Sequence, residues 1–509
     1  MKKEITRYVI TILLACSLLA SGCARVPIPR IDSGDDLPAD TSQSEAENGA
    51  PEEEQEEDSD STDLSEEGTA ENDTSGAGAV RKESFDWLKD YVPVSTEPIT
   101  VRRWNVTPSK SFDRCCEIYE KYTGIHVNLE LYSWDDYKKM LDDSFENGRD
   151  PGIVRIHPYF ANKYIDQGDL MALDDLLTQN SLYLKPESVN REPLSTFVRD
   201  DKLYGINSSM SCSALWYNKK LFDEKQMAYP DETWTWEDVA DAAAALNDPE
   251  NEKYGISLPY NETEEGYYNI ITAYNGNVIN EDSTQSGFDQ EETLKAMQLT
   301  ADLIRRGMPP VQVMEQNDQM SLFCSGKTAM AILGSWHIYD LMDNEYALEN
   351  LDCTILPYAA EEKTRGGVRT ISGYSIASGC ERAEDYWHFM ELLYCYDRIS
   401  GPDNDFFIPI DPAAVKSIDI KKYPFAIREA YIGLLHPDQT AEDTASGTGQ
   451  QSDQAVKNRI VDIPCSMNTE AWLPHVKTYM KKAWNDPDNM EEYCLQLAGV
   501  MNYKLETEQ

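Results

Sequence analysis

Between Ile99 and Ile156 the apolar pattern switches repeatedly between two periods, and this alternation limits the fold more than any other feature of the chain. Ile99 to Trp104 reads as a strand. Phe112, Cys115, Cys116 and Tyr119 recur at i, i+3, i+4 and i+7, the spacing of one buried helical face. Ile125 to Leu131 predicts the next strand. Trp134 to Phe145 predicts a helix broken by Gly148 and Pro151, and Ile153 to Ile156 a third strand. Strands and helices taking turns imply a largely parallel sheet flanked by helices, so the class is α/β. Such sheets bind ligands in the crevice beyond the carboxyl ends of their strands.

A second alternating block starts near Tyr204. Thr235 with Asp238 has the form of a capping box opening a helix from Trp236 to Leu246. Leu294, Met297, Ala301 and Ile304 mark a further helix, stopped by Gly307 with Pro309 and Pro310 behind it. Residues 84–509 are too many for one core, so two lobes are expected. The stretch 438–455 reads as a polar surface insertion. Its Gly447-Thr448-Gly449 lacks the preceding strand and following Lys-Ser/Thr of a phosphate loop.

The first 83 residues have a different character. Lys2, Lys3 and Arg7 precede thirteen apolar-leaning residues, Tyr8 to Ala20, fewer than the ~20 a membrane-spanning helix needs. Leu19-Ala20-Ser21-Gly22-Cys23 follows, with the small residues of an export-signal cleavage site. It resembles a bacterial lipobox, although Ala20 stands where leucine is commoner. Ala15-Cys16 lies inside the apolar core and fits the pattern less well. The resemblance implies a leader over 1–22 and a diacylglyceryl group on Cys23, placing the chain lipid-anchored on the extracellular side of the cell membrane. An uncleaved signal anchor is the alternative. Residues 31–80 then carry eighteen acidic residues and no basic one, with few large apolar side chains. Such a segment cannot offset its ordering entropy and is expected to be an extended tether over 23–83.

Over the whole chain 91 acidic residues face 45 basic ones. No basic footprint exists for nucleic acid. Of the eleven cysteines, Cys115, Cys116, Cys212, Cys324, Cys353, Cys380, Cys395, Cys465 and Cys494 lie beyond the leader and Cys23. Most sit in apolar patterns as buried small hydrophobes would. No Cys-x-x-Cys and no His-Glu-x-x-His occurs, so no zinc site is indicated. No cofactor is implied.

Four further segments occur in a fixed order: Leu203-Tyr204-Gly205-Ile206 with Leu215-Trp216-Tyr217-Asn218-Lys219-Lys220-Leu221-Phe222; Thr233-Trp234-Thr235-Trp236-Glu237-Asp238; Phe323-x-x-Gly326-Lys327-x-Ala329-Met330; and Gly334-x-Trp336. In order and spacing these resemble the extracellular solute-binding proteins of ABC importers, in the sugar-binding group that includes maltose-binding protein. The likeness covers most of residues 98–509. It implies a two-lobed, periplasmic-binding-protein-like type II fold with the ligand cleft between lobes joined by hinge strands. Lobe 1 is expected over about 98–207 and 358–405, and lobe 2 over about 208–357 and 406–509. Asn207 to Ser213 and Cys353 to Pro357 are the expected hinges. The resemblance further implies a monomer that closes on a small solute, a sugar, and hands it to permease subunits without catalysis.

The same resemblance marks the binding residues. Trp336 matches a tryptophan that stacks on sugar. Glu265 and Tyr267 match a hydroxyl-binding glutamate and a stacking tyrosine, with Glu264 and Tyr268 as rivals because Gly266 replaces proline and the spacing is longer. Trp472 matches a second stacking tryptophan that precedes the C-terminal helix. Asn105 follows the first strand, and Arg155 and His157 flank the end of the third. Ser372, Gly373 and Tyr374 match a glycine-containing element whose backbone approaches the ligand. Each of these has a plain alternative in core packing, turn formation or capping. From a different class, a surface-anchored glycosidase needs two carboxylates at a set separation, for which nothing specific appears. A solute receptor that signals rather than transports is equally compatible with these residues.

Overall fold

A computed structural model describes residues 84–104, 110–260, 264–400, 408–437 and 456–507. The expected leader, Cys23, the expected tether, Asn105 and the stretch 438–455 lie outside the described residues. The chain divides into the units Met1–Gly78 and Ala79–Gln509, and every described residue belongs to the second.

The first lobe begins with strand β1 (Ile99–Trp104), helix α1 (Lys110–Thr123), strand β2 (Val127–Tyr132), helix α2 (Trp134–Glu146), strand β3 (Ile153–Ile156) and helix α3 (Pro158–Asp166). In α1, Phe112, Cys115 and Tyr119 are buried, as the helical spacing requires. β1 pairs in parallel with both β2 and β3. Gly152 enters β3 at φ +80°, and a Cβ there would collide with the Thr100 carbonyl, so only glycine fits this turn.

The second lobe holds strand β4 (Ser213–Asn218), helix α4 (Trp236–Leu246), strand β5 (Tyr254–Ser257), helix α5 (Glu291–Gly307), strand β6 (Thr328–Gly334), strand β7 (Leu351–Thr354) and strand β8 (Thr364–Arg369). The Thr235–Asp238 capping box opens α4. The sheet order is β7-β4-β6-β5. Only β5 and β6 run parallel; β4 is antiparallel to both of its neighbours. The expectation of a largely parallel sheet therefore holds in lobe 1 and not in lobe 2. Strand β9 (Gly373–Ile376) returns to lobe 1 antiparallel to β3, followed by helix α6 (Ala383–Ser400). The chain ends in lobe 2 with strand β10 (Lys457–Asp462), parallel to β8, and helices α7 (Thr469–Asn485) and α8 (Met490–Thr507).

Buried apolar side chains form two cores, one per lobe. Trp387, Tyr119 and Tyr137 anchor the first and Trp216, Trp236 and Trp472 the second, all without solvent exposure. Burying a large apolar side chain contributes about 1.5–3 kcal/mol. A buried polar relay runs through the second core: Trp216 Nε1 donates to the Tyr431 hydroxyl at 2.6 Å, which donates to the Leu333 carbonyl at 2.9 Å.

The lobes are joined by neighbouring extended crossings. Ile206 pairs with Tyr374 and Ser211 with Thr370. The short strand Ser209–Met210 pairs with Ile408–Pro409. The first crossing lies within the expected Asn207 to Ser213. The second does not lie at Cys353 to Pro357, because Cys353 is in β7, paired with Trp216 inside the lobe 2 sheet. The chain remains in lobe 2 through β8 and crosses between Arg369 and Gly373, so the lobe 1 return starts past residue 369 rather than at 358.

Candidate functional site

The carboxyl ends of β1 and β3 carry Trp104 and, one residue beyond β3, His157. His157 caps α3: its Nδ1 accepts from the Tyr159 amide at 3.2 Å, and Pro158 takes the first helical position, where a missing N–H costs nothing. This turns Nε2 outward. Trp134 opens α2 behind the cap residue Ser133 and remains 41% exposed. The Trp104 and Trp134 rings meet edge-on at 5.2 Å, and Trp134 meets His157 edge-on at 5.2 Å. The Arg155 guanidinium lies 4.6 Å from the Trp104 ring and is itself buried. Lobe 1 thus presents an aromatic corner stiffened from below by a cation.

Lobe 2 answers with Glu264 and Glu265, in the turn before the short helix Tyr268–Ala273, and with Trp336 just beyond β6. Glu265 Oε1 accepts the Gly334 amide at 2.5 Å and lies 3.1 Å from His337 Nε2. The half-buried indole of Trp336 lies against Gly334, where any Cβ would overlap its six-membered ring. Glu264 Oε1 accepts the Thr370 hydroxyl at 2.5 Å and stands 3.6 Å from His157 Nε2 of lobe 1. The cleft is also spanned by Glu470, in the first turn of α7, which pairs with Lys138 at 2.7 Å and Lys163 at 3.8 Å from lobe 1. Asn162 donates to the Ser466 carbonyl at 2.9 Å across the same gap.

Burial opposes a charged imidazole at His337, but Glu265, then Asp340 and Asp318, favour it more, so its pKa stands above the ordinary histidine value. A raised folded-state pKa means that this pairing stabilises fully below the unfolded value and fades as pH rises through the folded one. The difference in melting temperature between wild type and Glu265→Gln is therefore expected to shrink between about pH 5 and about pH 8. A constant difference across that range rules out the pairing as a source of stability.

Trp336, Glu265 and His157, marked in the sequence, come together here with the rival Glu264. Tyr267 and Trp472 do not join them. Tyr267 has no exposed surface and packs on Tyr268 at 5.0 Å and Trp484 at 5.4 Å. Trp472 is equally buried, with its Nε1 donating to Ser466 Oγ at 2.8 Å. The expected stacking role of both rings gives way to core packing. Ser372, Gly373 and Tyr374 serve the crossing itself. The Ser372 carbonyl accepts from Asn207 Nδ2 at 2.8 Å, and the Tyr374 backbone pairs with Ile206. A Cβ at Gly373 would press on Phe197 and Gly205, which favours glycine there. Trp104, Trp134, His337 and Thr370 were not singled out as binding residues. The sequence signals for two of them were slight: an exposed tryptophan directly after an N-cap, and a histidine adjoining the marked Trp336.

The arrangement offers an aromatic corner from lobe 1 and an indole with two carboxylates from lobe 2. Aromatic faces suit apolar C–H surfaces and carboxylates suit hydroxyl donors. Among the described residues no cluster of His, Cys, Asp and Glu could hold a metal ion. A hollow of about 450 Å³ lined by Met227, Trp234 and Asp238 contains none of the cleft residues.

Comparison with known proteins agrees with this architecture. A binding protein of Brucella abortus is 24% identical over 327 residues, covering 62% of this chain and 77% of its own. The maltotriose-binding protein of Pyrococcus abyssi is 24% identical over 228 residues, 44% of this chain and 47% of its own. Among solved structures, an ABC substrate-binding protein from Listeria monocytogenes in complex with cycloalternan superposes with TM-score 0.67 at 20% identity, over 81% of this chain and 100% of that one. The sugar-binding protein MalE of Xanthomonas citri superposes with TM-score 0.60 at 16% identity, over 80% and 98%. These share the two-lobed fold. The family model of bacterial extracellular solute-binding proteins matches residues 105–394, which run through both lobes and two of the crossings between them. With more than half of its length matched and its lobes, crossings and cleft in place, the chain belongs to the bacterial extracellular solute-binding proteins.

Proposed function

We propose that this protein captures a carbohydrate, an oligosaccharide, by closure of its two lobes and delivers it to the permease of an ABC transporter. In this reading it is held at the extracellular face of the cell membrane through lipidated Cys23, with the acidic segment as spacer, and acts as a monomer without turnover. The observation that carries the reading is that the aromatic corner of lobe 1, Trp104, Trp134 and His157, meets the Glu264–Glu265 turn of lobe 2 through His157 and Glu264 at 3.6 Å, with Glu265 bonded to the Gly334 amide beside Trp336. Sugars present flat C–H faces and rings of hydroxyls, and this combination meets both. Trp336 and Trp134 would stack on the solute, Glu264 and Glu265 would accept its hydroxyls, and His157 would contact it from lobe 1. Support also comes from relatives whose names record maltotriose and galactooligosaccharide binding.

A thermal-shift panel of maltotriose, galactooligosaccharides, mannitol and monosaccharides tests the proposal. A solute that binds only the folded state raises its stability by about 2.7 kcal/mol at a concentration of 100 Kd. A concentration-dependent rise with an oligosaccharide, and no product formed, is the expected result. A rise with peptides or polyamines alone keeps the family and removes the carbohydrate assignment.

A further inference from the structure

Glu264 occupies an unusual position, because three parts of the molecule meet on it. Its Oε1 accepts the Thr370 hydroxyl at 2.5 Å. Thr370 lies in the crossing between β8 and β9, and its backbone is bonded in both directions to Ser211 of the other crossing, at 3.0 and 2.9 Å. The Glu264 carbonyl accepts the hydroxyl of Ser213, at the end of that other crossing, at 2.5 Å. The same Oε1 faces His157 Nε2 of lobe 1 at 3.6 Å. Thr370, Ser211, Ser213 and His157 are all buried. One glutamate on the lobe 2 side of the cleft is thus held by residues of both hinge crossings and faced by the opposite lobe.

We infer that Thr370 and His157 are positioning residues that couple Glu264 to the hinge, so that the carboxylate is aimed into the cleft only when the crossings and lobe 1 are in their closed arrangement. This rests on the solute-capture reading of the cleft. Both contacts fall on Oε1, which leaves Oε2 as the oxygen for a solute hydroxyl. Opening rotates the crossings, because hinge motion is absorbed by a few residues at element ends. That rotation must either carry Glu264 with Thr370 or break their bond, and in both cases the distance to His157 changes. A hydroxyl bound at Oε2 therefore favours the closed crossings without touching them. The coupling needs the hydroxyl of residue 370 and the polar edge of the ring at 157 facing Glu264, not merely side chains of their size.

Hydrogen–deuterium exchange of the full chain tests this without any solute. Thr370→Val keeps the shape and removes the hydroxyl, Thr370→Ser restores it, and His157→Gln removes the ring facing Glu264. Thr370→Val and His157→Gln are each expected to speed amide exchange about tenfold at both crossings, 207–213 and 369–374, the size of a typical coupling between sites. Thr370→Ser is expected to match wild type, which a purely steric role for the methyl group would not predict. In a Glu264→Ala background neither substitution should add to the exchange. Wild-type exchange in Thr370→Val, or effects of undiminished size in the Glu264→Ala background, overturns the inference. A sugar panel that finds no ligand removes the carbohydrate assignment instead and leaves the exchange result to stand by itself.

Discussion

Replacing Gly334 with alanine is expected to weaken solute binding about 30- to 150-fold, the loss that follows from removing an aromatic anchor worth about 2–3 kcal/mol. Gly334 ends β6 at φ −71° and ψ 155°, a conformation any residue adopts, so the backbone tolerates the change. The added Cβ, however, would overlap the six-membered ring of Trp336. The indole cannot stay against residue 334. Because it is only half-buried, it has room to swing away, so folding should be little affected while the stacking face is lost. Glu265 receives the Gly334 amide and pairs with His337, so a shift of this turn would also misplace the carboxylate. Calorimetric affinity for the oligosaccharide found in the thermal panel is the measurement. Trp336→Ala should lose a similar amount, and the double variant little more, because both remove one platform. Full affinity in Gly334→Ala would place the ring outside the binding surface.

The second large effect concerns stability rather than binding. Glu391, in α6, has no exposed surface, and its two oxygens accept the amides of Leu182 at 3.2 Å, Tyr183 at 2.7 Å and Leu184 at 2.7 Å. His388 Nδ1 lies 3.1 Å away. The carboxylate therefore does for residues 182–184 what a strand or helix would do, since a buried amide must be satisfied somewhere. Glu391→Ala leaves three donors without an acceptor and opens a gap beside His388. The expected cost is about 3–5 kcal/mol, in the range for stranding the partners of a buried charged group. Urea unfolding of the variant reads it directly. A change below about 1 kcal/mol would mean that water or a rearranged loop replaces the carboxylate. Glu391→Gln is expected to be costly too, because one carboxylate oxygen becomes a donor that faces other donors.

Several elements of both lobes are readable from the sequence because their signals are local. β1, β3 and α4 occupy the residues that period and capping indicate, and Val127–Tyr132 is offset from the expected strand by only a residue or two. A helical stripe or a Thr-x-x-Asp box acts over one or two turns, so no distant residue is needed to read it. The second crossing departs from its expected place for the opposite reason. Cys353 to Pro357 is largely apolar and ends in proline, as a hinge strand can. Its pairing with Trp216 depends on a strand far away in the chain.

The binding residues divide along the same line. Trp336 and Glu265 were marked by neighbours in the chain, and they stand on the cleft side of lobe 2. Tyr267 was marked by equally good local reasons, yet Tyr268 and Trp484 enclose it. Trp472 likewise spends its ring in the core and its Nε1 on Ser466. A sequence identifies an aromatic residue and the element that carries it, but the surface its ring meets depends on residues brought in by folding. That is why Trp134 and His337 were missed, and why the role of Thr370 could not be read at all.

Sequence alone determined the α/β class, the two-lobed character of the long domain, the family, and the segments that carry the cleft. Each follows from composition, short-range periodicity or ordered motifs, which survive without knowing any long-range contact. Only the tertiary structure decided where the chain crosses between lobes, which aromatic rings face the cleft, and that Glu264 joins both crossings to lobe 1. Those are properties of register and side-chain direction, set by which distant strands pair and which side chains fill the two cores.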